Sequence, residues 1–214
     1  GSAALASPPM AEKLRWAIIG TGFISNTVAE AIAASRGSQV ELVSGRDAGR
    51  VAEFAERHRI ARTCVGFAEA VTDSDIDVVY VGTPNHTHHD VVTAAAAAGK
   101  AVLSEKSLTT TMATAHELVD AVRDKVFFVE GLMYLAHPVM QRVVDVLSEE
   151  RTGTVTAVHL RYAADIKAVV NPLGRGTIYN LGCYPVSLLH LIIQSAFDDD
   201  LFEQRKLAGH GTLT

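Results

Sequence analysis

The chain is most constrained where a short apolar run breaks into two closely spaced glycines. Residues 15–19 are apolar enough for a strand buried on both faces, and Gly20, Gly22 and Ser25 follow them in the spacing Gly-x-Gly-x-x-Ser. Gly20 allows the backbone to turn where a Cβ would clash, and Gly22 leaves room for a pyrophosphate. A helix that begins near Phe23 would direct its unpaired N–H groups at that phosphate. The segment predicts a dinucleotide-binding turn, with a plain tight turn as the alternative.

The elements that follow place this turn in a βαβ unit. The pattern predicts a helix over residues 23–35, a strand over 39–44 and a helix over 48–58. In an NAD site, a carboxylate at the end of the second strand accepts from the ribose 2′-hydroxyl, but Ser44 stands there. Arg46 and Arg50 follow and suit a 2′-phosphate, which predicts NADP with NAD possible. The alternative is that both arginines are solvated residues at a helix start.

Strands and helices continue to alternate up to residue 129. The pattern predicts strands over 77–82, 101–104 and 126–129, and helices over 90–98 and 112–122. This alternation is typical of an α/β fold with a parallel, doubly wound Rossmann sheet. Such sheets bind ligands beyond the carboxyl ends of their strands. Thr83, Pro84 and Asn85 follow one of these strands, and Glu105 and Lys106 follow another.

The rest of the chain predicts a smaller and unfinished second domain. Residues 155–163 alternate as a strand, and residues 139–147 and 181–194 have helical spacing. One strand cannot form a stable sheet. We therefore expect an incomplete α+β substrate domain with a mostly antiparallel sheet, either because the chain is truncated or because a partner completes it. Such a domain would expose an apolar sheet face or bury it in a homo-oligomer.

These patterns divide the chain into three parts. Residues 1–12 are small, contain prolines and lack periodicity, which indicates a disordered leader or tag. The dinucleotide-binding domain would occupy residues 13–131. Residues 132–214 would form the partial substrate and oligomerisation domain.

Composition restricts the class of protein. The chain has 214 residues, 48% of them hydrophobic, which is enough for one full domain core and part of a second. Its net charge of -5 argues against a nucleic-acid partner, and no stretch is apolar enough for a membrane span. Cys64 and Cys183 are too few for a disulfide framework. We therefore expect a cytoplasmic protein with reduced thiols.

Three histidines and an aspartate cluster near the predicted start of a helix. His86, His88, His89 and Asp90 are residue types that commonly bind metal ions. Neighbouring residues in the first turn of a helix point in different directions and cannot converge on one ion. We therefore predict no metal site here.

Four sequence blocks together carry a resemblance to a known family. They are GTGFIS at residues 20–25, TPNHTH at 83–88, AGKAVLSEK at 98–106 and NLGCYP at 180–185. With these blocks in this order, the chain resembles the Gfo/Idh/MocA family of nicotinamide-dependent oxidoreductases. The likeness is to the branch that contains glucose-fructose oxidoreductases and dihydrodiol dehydrogenases.

The resemblance implies catalytic roles for residues in both halves of the chain. Lys106 matches a lysine that lies beside the reacting carbon and shares the proton of the substrate hydroxyl. Tyr184 matches a tyrosine that other branches replace with histidine, and Asn180 stands where the family has an aspartate. Asparagine can orient a hydroxyl but cannot ionise. Ser107 replaces the family's proline, which removes a restriction on the backbone of Lys106.

The resemblance implies a dehydrogenase or reductase. The reaction would move a hydride between a nicotinamide and a carbinol carbon of a sugar, cyclic polyol or dihydrodiol. The predicted catalytic residues are Lys106, Tyr184 and Asn180. The predicted cofactor contacts are Gly20, Gly22, Phe23, Ile24, Ser44, Arg46, Thr83, Pro84, Asn85, His88, Glu105 and Lys106.

Other interpretations of the same residues stay open. Glu105 and Lys106 also fit an ordinary ion pair at a strand end, and Tyr184 also fits a core tyrosine whose hydroxyl is satisfied. His88 is expected to be structural or adjacent to the cofactor. Because Asn180 and Ser107 depart from the family pattern, the alternative function is a dinucleotide-binding relative with weak or no catalytic activity.

Overall fold

The structure, a computed structural model, describes residues 13–149, 151, 153–166, 171–197, 201 and 204–210. It divides into two compact units, Gly1–Gly131 and Leu132–Thr214. The predicted leader over residues 1–12 lies outside the described residues. No helix in the described ranges is both long and apolar enough to cross a membrane.

The first unit is built on a six-stranded parallel sheet. Its strands are β1 (Leu14–Ile19), β2 (Ser38–Gly45), β3 (Arg62–Val65), β4 (Val78–Val81), β5 (Ala101–Ser104) and β6 (Phe128–Glu130). They lie in the order β3-β2-β1-β4-β5-β6, and every neighbouring pair is parallel. The order reverses direction at β1, so the gap between β1 and β4 is the switch point at which such sheets bind ligands. The predicted α/β class with a doubly wound sheet is confirmed.

Helices cover both faces of this sheet. They are α1 (Phe23–Ala34), α2 (Ala48–His58), α3 (Ala68–Thr72), α4 (His88–Ala97) and α5 (Met112–Val122). One core cluster packs α1 and α2 against the sheet through residues such as Ile32 and Phe54. The other packs α3, α4 and α5 through residues such as Val71, Val92 and Leu118. Both faces of the central strands are therefore buried, which explains why β4 is a continuous apolar run.

Two elements of the first unit were missing from the sequence prediction. Strand β3 and helix α3 are only four and five residues long, too short to show a periodic pattern. Strand β3 extends the sheet beyond β2, where Leu42 to Gly45 pair with Arg62 to Val65. The strands and helices that were predicted here are present, with ends that differ by a few residues.

Four residues pack closely together where β1 and β4 end. Gly20 has a φ of +107°, and a Cβ on it would lie 2.7 Å from the carbonyl oxygen of Gly82. A Cβ on Gly82 would in turn collide with the hydroxyl of Ser25 and would lie 2.7 Å from the ring of Tyr80. Ser25 can therefore replace the third glycine of the fingerprint, because Gly82 opposite it has no side chain.

The second unit is helical in its described part. After a short 3-10 helix (Met133–Ala136) it contains α6 (Pro138–Ser148), a 3-10 turn (Pro172–Gly174), α7 (Gly176–Leu181) and α8 (Cys183–Ala196). Gly174 and Leu181 are the buried residues among those described in this unit. Val139, Ile178 and Val186 are exposed. The described part of this unit therefore has little buried core.

The strand predicted over residues 155–163 is wrong. Residues 153–166 contain no helix or strand. A strand needs a neighbour that accepts its backbone hydrogen bonds, and the described part of this unit offers none. The expected antiparallel sheet is thus absent from the described residues.

The helix predicted over residues 181–194 is interrupted at Gly182. Pro185 has no N–H to donate to the carbonyl of Leu181, four residues earlier, so one bond of the helical ladder is missing. A Cβ on Gly182 would collide with the carbonyl oxygen of Ile178. Asn180 therefore ends up in α7 and Tyr184 in α8.

We predict that Gly20→Ala destabilises the first unit. The added Cβ would meet the backbone of Gly82 and would hold φ in a region closed to alanine, at a cost of about 2–4 kcal/mol in the free energy of unfolding. Urea denaturation measures this loss. Gly37→Ala is the matched control, since nothing lies within 4 Å of its Cβ position and its φ is not positive. Equal losses for the two variants would contradict the prediction.

Candidate active site

The carboxyl ends of four strands form a continuous row. The first residue after each strand donates its N–H to the neighbouring strand: Gly20 to Ser44 (2.8 Å), Gly82 to Ile19 (2.8 Å), Glu105 to Val81 (2.9 Å) and Gly131 to Ser104 (2.6 Å). These bonds extend the sheet ladder by one residue beyond the strands. The row brings the glycine turn, the segment after β4 and the Glu105–Lys106 pair to one edge of the sheet.

The glycine turn leaves open space at the start of α1. A Cβ on Gly22 would have only the carbonyl oxygen of Gly82 near it, at 4.0 Å. Gly22 is the N-cap of α1 and supplies no side-chain cap. Phe23 is 86% exposed, and Ile24 is half-buried. The Ser25 hydroxyl is buried and has no hydrogen-bond partner among the described residues.

The end of β2 presents arginine to solvent and buries serine. Ser44 is fully buried, and its carbonyl oxygen accepts from Gly20. Arg46 is exposed. Asp47 caps α2 by accepting from the N–H of Arg50 at 2.9 Å, and the Arg50 guanidinium donates to the carbonyl oxygen of Thr21 at 3.3 Å. Arg46 therefore places a positive charge in solvent at the tip of β2.

His88 joins the segments that follow β4 and β5. Its Nε2 lies 2.8 Å from the carbonyl oxygen of Thr83, and its Nδ1 lies 3.0 Å from that of Ser107. The ring is fully buried, and burial lowers the pKa of His88. Asn85 is also buried, whereas Pro84 is exposed. His88 therefore fixes the two segments on which Thr83 and Lys106 lie.

The half-buried carboxyl group of Glu105 contacts the buried phenol of Tyr80. The Tyr80 hydroxyl donates to Glu105 Oε1 at 3.0 Å, and the Tyr80 side chain is 1% exposed. Burial raises the pKa of Glu105, while the bond from Tyr80 and the charge of Lys106 act in the opposite direction. The pKa of Tyr80 is also raised, chiefly by burial and then by the charge of Glu105. Tyr80 therefore remains a neutral donor.

A second carboxyl group lies at the end of the next strand. Burial raises the pKa of Glu130 in β6, and the charge of Glu105 raises it further. The N–H of Leu108 and the charge of Lys106 lower it. Lys106 itself is half-buried, and the Lys106–Ser107 peptide bond is cis. The charge of Lys106 thus acts on two carboxyl groups rather than on one.

Tyr80 and Glu130 were not among the predicted site residues. The prediction ended the sixth strand at Val129, one residue before Glu130. Had the rule that ligands bind beyond carboxyl ends been extended to that strand, it would have found the carboxylate. Tyr80 is the one polar side chain in the strand Val-Val-Tyr-Val, and that was the available signal.

The histidine cluster does not converge on one point. His88 lies between two backbone carbonyl oxygens, whereas His89 contacts Asp90 and Glu117, and His86 Nδ1 is buried without a partner among the described residues. In the described ranges, no group of three or more histidine, cysteine, aspartate or glutamate side chains is placed to hold a metal ion.

In the second unit, Tyr184 lines a cavity of about 380 Å³. Its ring centroid lies 5.1 Å from that of Tyr162 and 6.0 Å from that of Tyr134. The Asn180 amide donates to the carbonyl oxygen of Gly176 at 2.9 Å. The Ser187 hydroxyl lies 2.7 Å from that of Tyr134. The cavity is lined by Met133, Tyr134, Leu160, Arg161, Tyr162, Tyr184, Pro185 and Leu188.

Comparisons with known proteins identify the family of the first unit. The model of the Gfo/Idh/MocA oxidoreductases, described as an oxidoreductase family with an NAD-binding Rossmann fold, matches residues 14–130. A trans-1,2-dihydrobenzene-1,2-diol dehydrogenase from Xenopus laevis is 33% identical over 185 residues, which cover 83% of this chain and 56% of that protein. The chain thus spans little more than half the length of this relative.

Solved structures show the same relationship. The NADP complex of KijD10, a 3-ketoreductase from Actinomadura kijaniata, is 30% identical with a TM-score of 0.60, over 67% of this chain and 46% of that one. The NAD complex of GenD2 from gentamicin A biosynthesis is 26% identical with a TM-score of 0.74, over 91% of this chain and 57% of that one. Both cofactor types therefore occur among the structural relatives.

We predict that His88 makes stability depend on pH. Because burial lowers its pKa in the fold, the unfolded chain binds a proton first as pH falls below about 6.5. The contribution of His88 to the free energy of unfolding is therefore fully present above that pH. It is lost as the pH falls toward the lower pKa that His88 has in the folded protein. His88→Gln should cost about 1–2 kcal/mol at pH 7 and less at pH 5, measured by urea unfolding at both pH values.

The control for this measurement is His116→Gln, because His116 is exposed on α5. His58, Glu105 and Glu130 also have shifted pKa values, but they are present in all three proteins and cancel in the difference. An unchanged cost of His88→Gln between pH 7 and pH 5 would contradict the prediction.

Proposed function

The chain belongs to the Gfo/Idh/MocA oxidoreductase family, and we propose that it is an NAD(P)-dependent oxidoreductase acting on a carbinol carbon. The substrate class that we propose is a sugar, cyclic polyol or dihydrodiol. One observation carries the proposal: the glycine turn and the Glu105–Lys106 pair lie in one hydrogen-bonded row at the carboxyl edge of the sheet. This row would place a bound dinucleotide along the same edge as an ionisable amine.

The residues of the first unit fit a dinucleotide. Gly20 and Gly22 leave a space that side chains would fill, and the start of α1 has no side-chain cap. Arg46 would hold a 2′-phosphate, since Ser44 supplies no carboxylate for a ribose hydroxyl. The remaining contacts that we propose are Phe23, Ile24, Thr83, Pro84, Asn85, His88, Glu105 and Lys106. A bound nicotinamide would supply the carbon that accepts or gives the hydride.

Two side chains are proposed to handle the hydroxyl proton of the substrate. Lys106 would donate or accept it at Nζ, with the Glu105 carboxylate holding the ammonium charge. Tyr184 would act through its phenol, and Asn180 would orient a substrate hydroxyl by hydrogen bonding. The tyrosine-lined cavity would hold the ring of the substrate, because flat aromatic faces pack well against the apolar faces of a ring.

The relatives' names support an enzyme rather than an inactive binding protein. They include a diol dehydrogenase and a 3-ketoreductase. We also propose a cytoplasmic homo-oligomer in which apolar residues of the second unit, such as Val139 and Val186, are covered. Sedimentation equilibrium tests the assembly, and a monomer at micromolar concentration would refute it.

We predict that Arg46→Ala shifts the cofactor preference. Loss of the guanidinium should weaken NADP binding at least tenfold, about 1.4 kcal/mol, and change NAD binding less than about twofold. Fluorescence titration with each reduced cofactor measures both constants. Arg36→Ala is the matched control, because it removes an exposed arginine just before β2 instead of one just after it. Equal weakening of NADP and NAD would contradict the assignment.

We predict that Lys106→Met and Tyr184→Phe act on the same chemical step. Each should lower kcat at least 100-fold, and the double variant should lose much less than the product of the two losses. Steady-state rates on a panel of polyols, sugars and dihydrodiols measure this. Cofactor binding should stay within about threefold for Tyr184→Phe. Tight cofactor binding by the unaltered chain without turnover on any substrate would instead support the inactive alternative.

A further inference from the structure

Beyond the proposed catalytic residues, the first unit holds a buried phenol and two half-buried carboxyl groups, and the charge of Lys106 acts on both carboxyl groups. Tyr80 lies in the centre of the sheet on β4, Glu105 follows β5, and Glu130 ends β6. The three residues therefore come from three adjacent strands. Tyr80 is buried, and Glu105 and Glu130 are half-buried. Their side chains are therefore held by the protein around them.

The Tyr80 ring lies along its strand toward the site. Its Cε1 atom would be 2.7 Å from a Cβ on Gly82, two residues further on, so the ring passes beneath Gly82 to reach Glu105. At its far end the hydroxyl donates to Glu105 Oε1 at 3.0 Å. On the other side, a Cβ on Gly131 would be 3.4 Å from the same oxygen. Because Gly82 has no side chain, the ring has the space that it needs to reach Glu105.

The two carboxyl groups accept hydrogen bonds from different uncharged donors. Glu105 accepts from the Tyr80 hydroxyl and from the N–H of Lys106, whereas Glu130 accepts from the N–H of Leu108. Both interact with the charge of Lys106. Since two neighbouring, half-buried carboxylates repel each other, one of them ionises at lower pH than the other.

We propose that Tyr80 is a positioning residue that places the negative charge on Glu105 rather than on Glu130 and so fixes the carboxylate that holds Lys106. The inference rests on the proposed function for its catalytic consequence. The order in which the two carboxyl groups lose their protons does not depend on the proposed function and can be tested without it. The phenol acts through Glu105 and touches neither substrate nor cofactor in this proposal.

The direct test is carboxyl titration by NMR in the full chain labelled with 13C at the glutamate Cδ atoms. Glu105→Gln and Glu130→Gln assign the two signals. In the unaltered chain Glu105 should ionise at lower pH than Glu130. In Tyr80→Phe, which keeps the ring, the Glu105 midpoint should lie about 0.5–1 pH unit higher, because one hydrogen bond to the charged form is lost.

Two outcomes of this titration would overturn the proposal. One is that Glu130 ionises before Glu105 in the unaltered chain, a measurement that needs no folded Tyr80 variant. The other is an unmoved Glu105 midpoint in Tyr80→Phe. Thr72→Val is the control, since it removes a hydroxyl bond to the carbonyl oxygen of Ala68 in α3 and should leave both midpoints in place.

Turnover provides the second readout. The acidic limb of the pH profile of kcat/KM should move to higher pH in Tyr80→Phe, while the rate at the plateau changes less than threefold. In the Glu105→Gln background, Tyr80→Phe should cause no further change. An unmoved acidic limb in an active Tyr80→Phe enzyme would overturn the catalytic part. If no substrate is turned over at all, the proposed function fails, and the NMR titration still decides the order of ionisation.

Discussion

The close approach of β1 and β4 at their carboxyl ends is the contact on which the rest of the first unit depends. Gly20 and Gly82 meet backbone to backbone there, and each donates its N–H to a neighbouring strand. Because neither residue has a side chain, helix α1 can start directly above the switch point with open space before it. The same approach sets the positions of Ser25, Tyr80 and, through Tyr80, Glu105.

Much of the first unit could be predicted because its signals are local. A buried parallel strand is a continuous apolar run, and the helices between strands have clear spacing or clear ends, such as Asp47 as the cap of α2. The edge at which Thr83, Glu105 and Lys106 meet followed from the rule for parallel sheets. Strand β3 and helix α3 escaped because four or five residues are too few to show a period.

What could not be predicted depends on contacts between distant residues. The role of His88 as a link requires Thr83 and Ser107 to lie on either side of one ring, which spacing does not reveal. Tyr80 and Glu105 are 25 residues apart and meet only because β4 and β5 are adjacent. In the second unit the alternation of residues 155–163 favoured a strand, but alternation cannot supply the neighbour that a strand needs.

Position 82 has a consequence for how this fold can vary. The volume that its missing side chain leaves is occupied from one side by the Ser25 hydroxyl and from the other by the Tyr80 ring. Residues 25, 80 and 82 therefore cannot change independently of one another. In a relative with a larger residue at 82, the hydroxyl at 25 and the ring at 80 would both have to move or be lost, and the phenol would then no longer reach Glu105 as it does here. A substitution where helix α1 packs against the end of β4 therefore also affects the carboxyl group that follows β5.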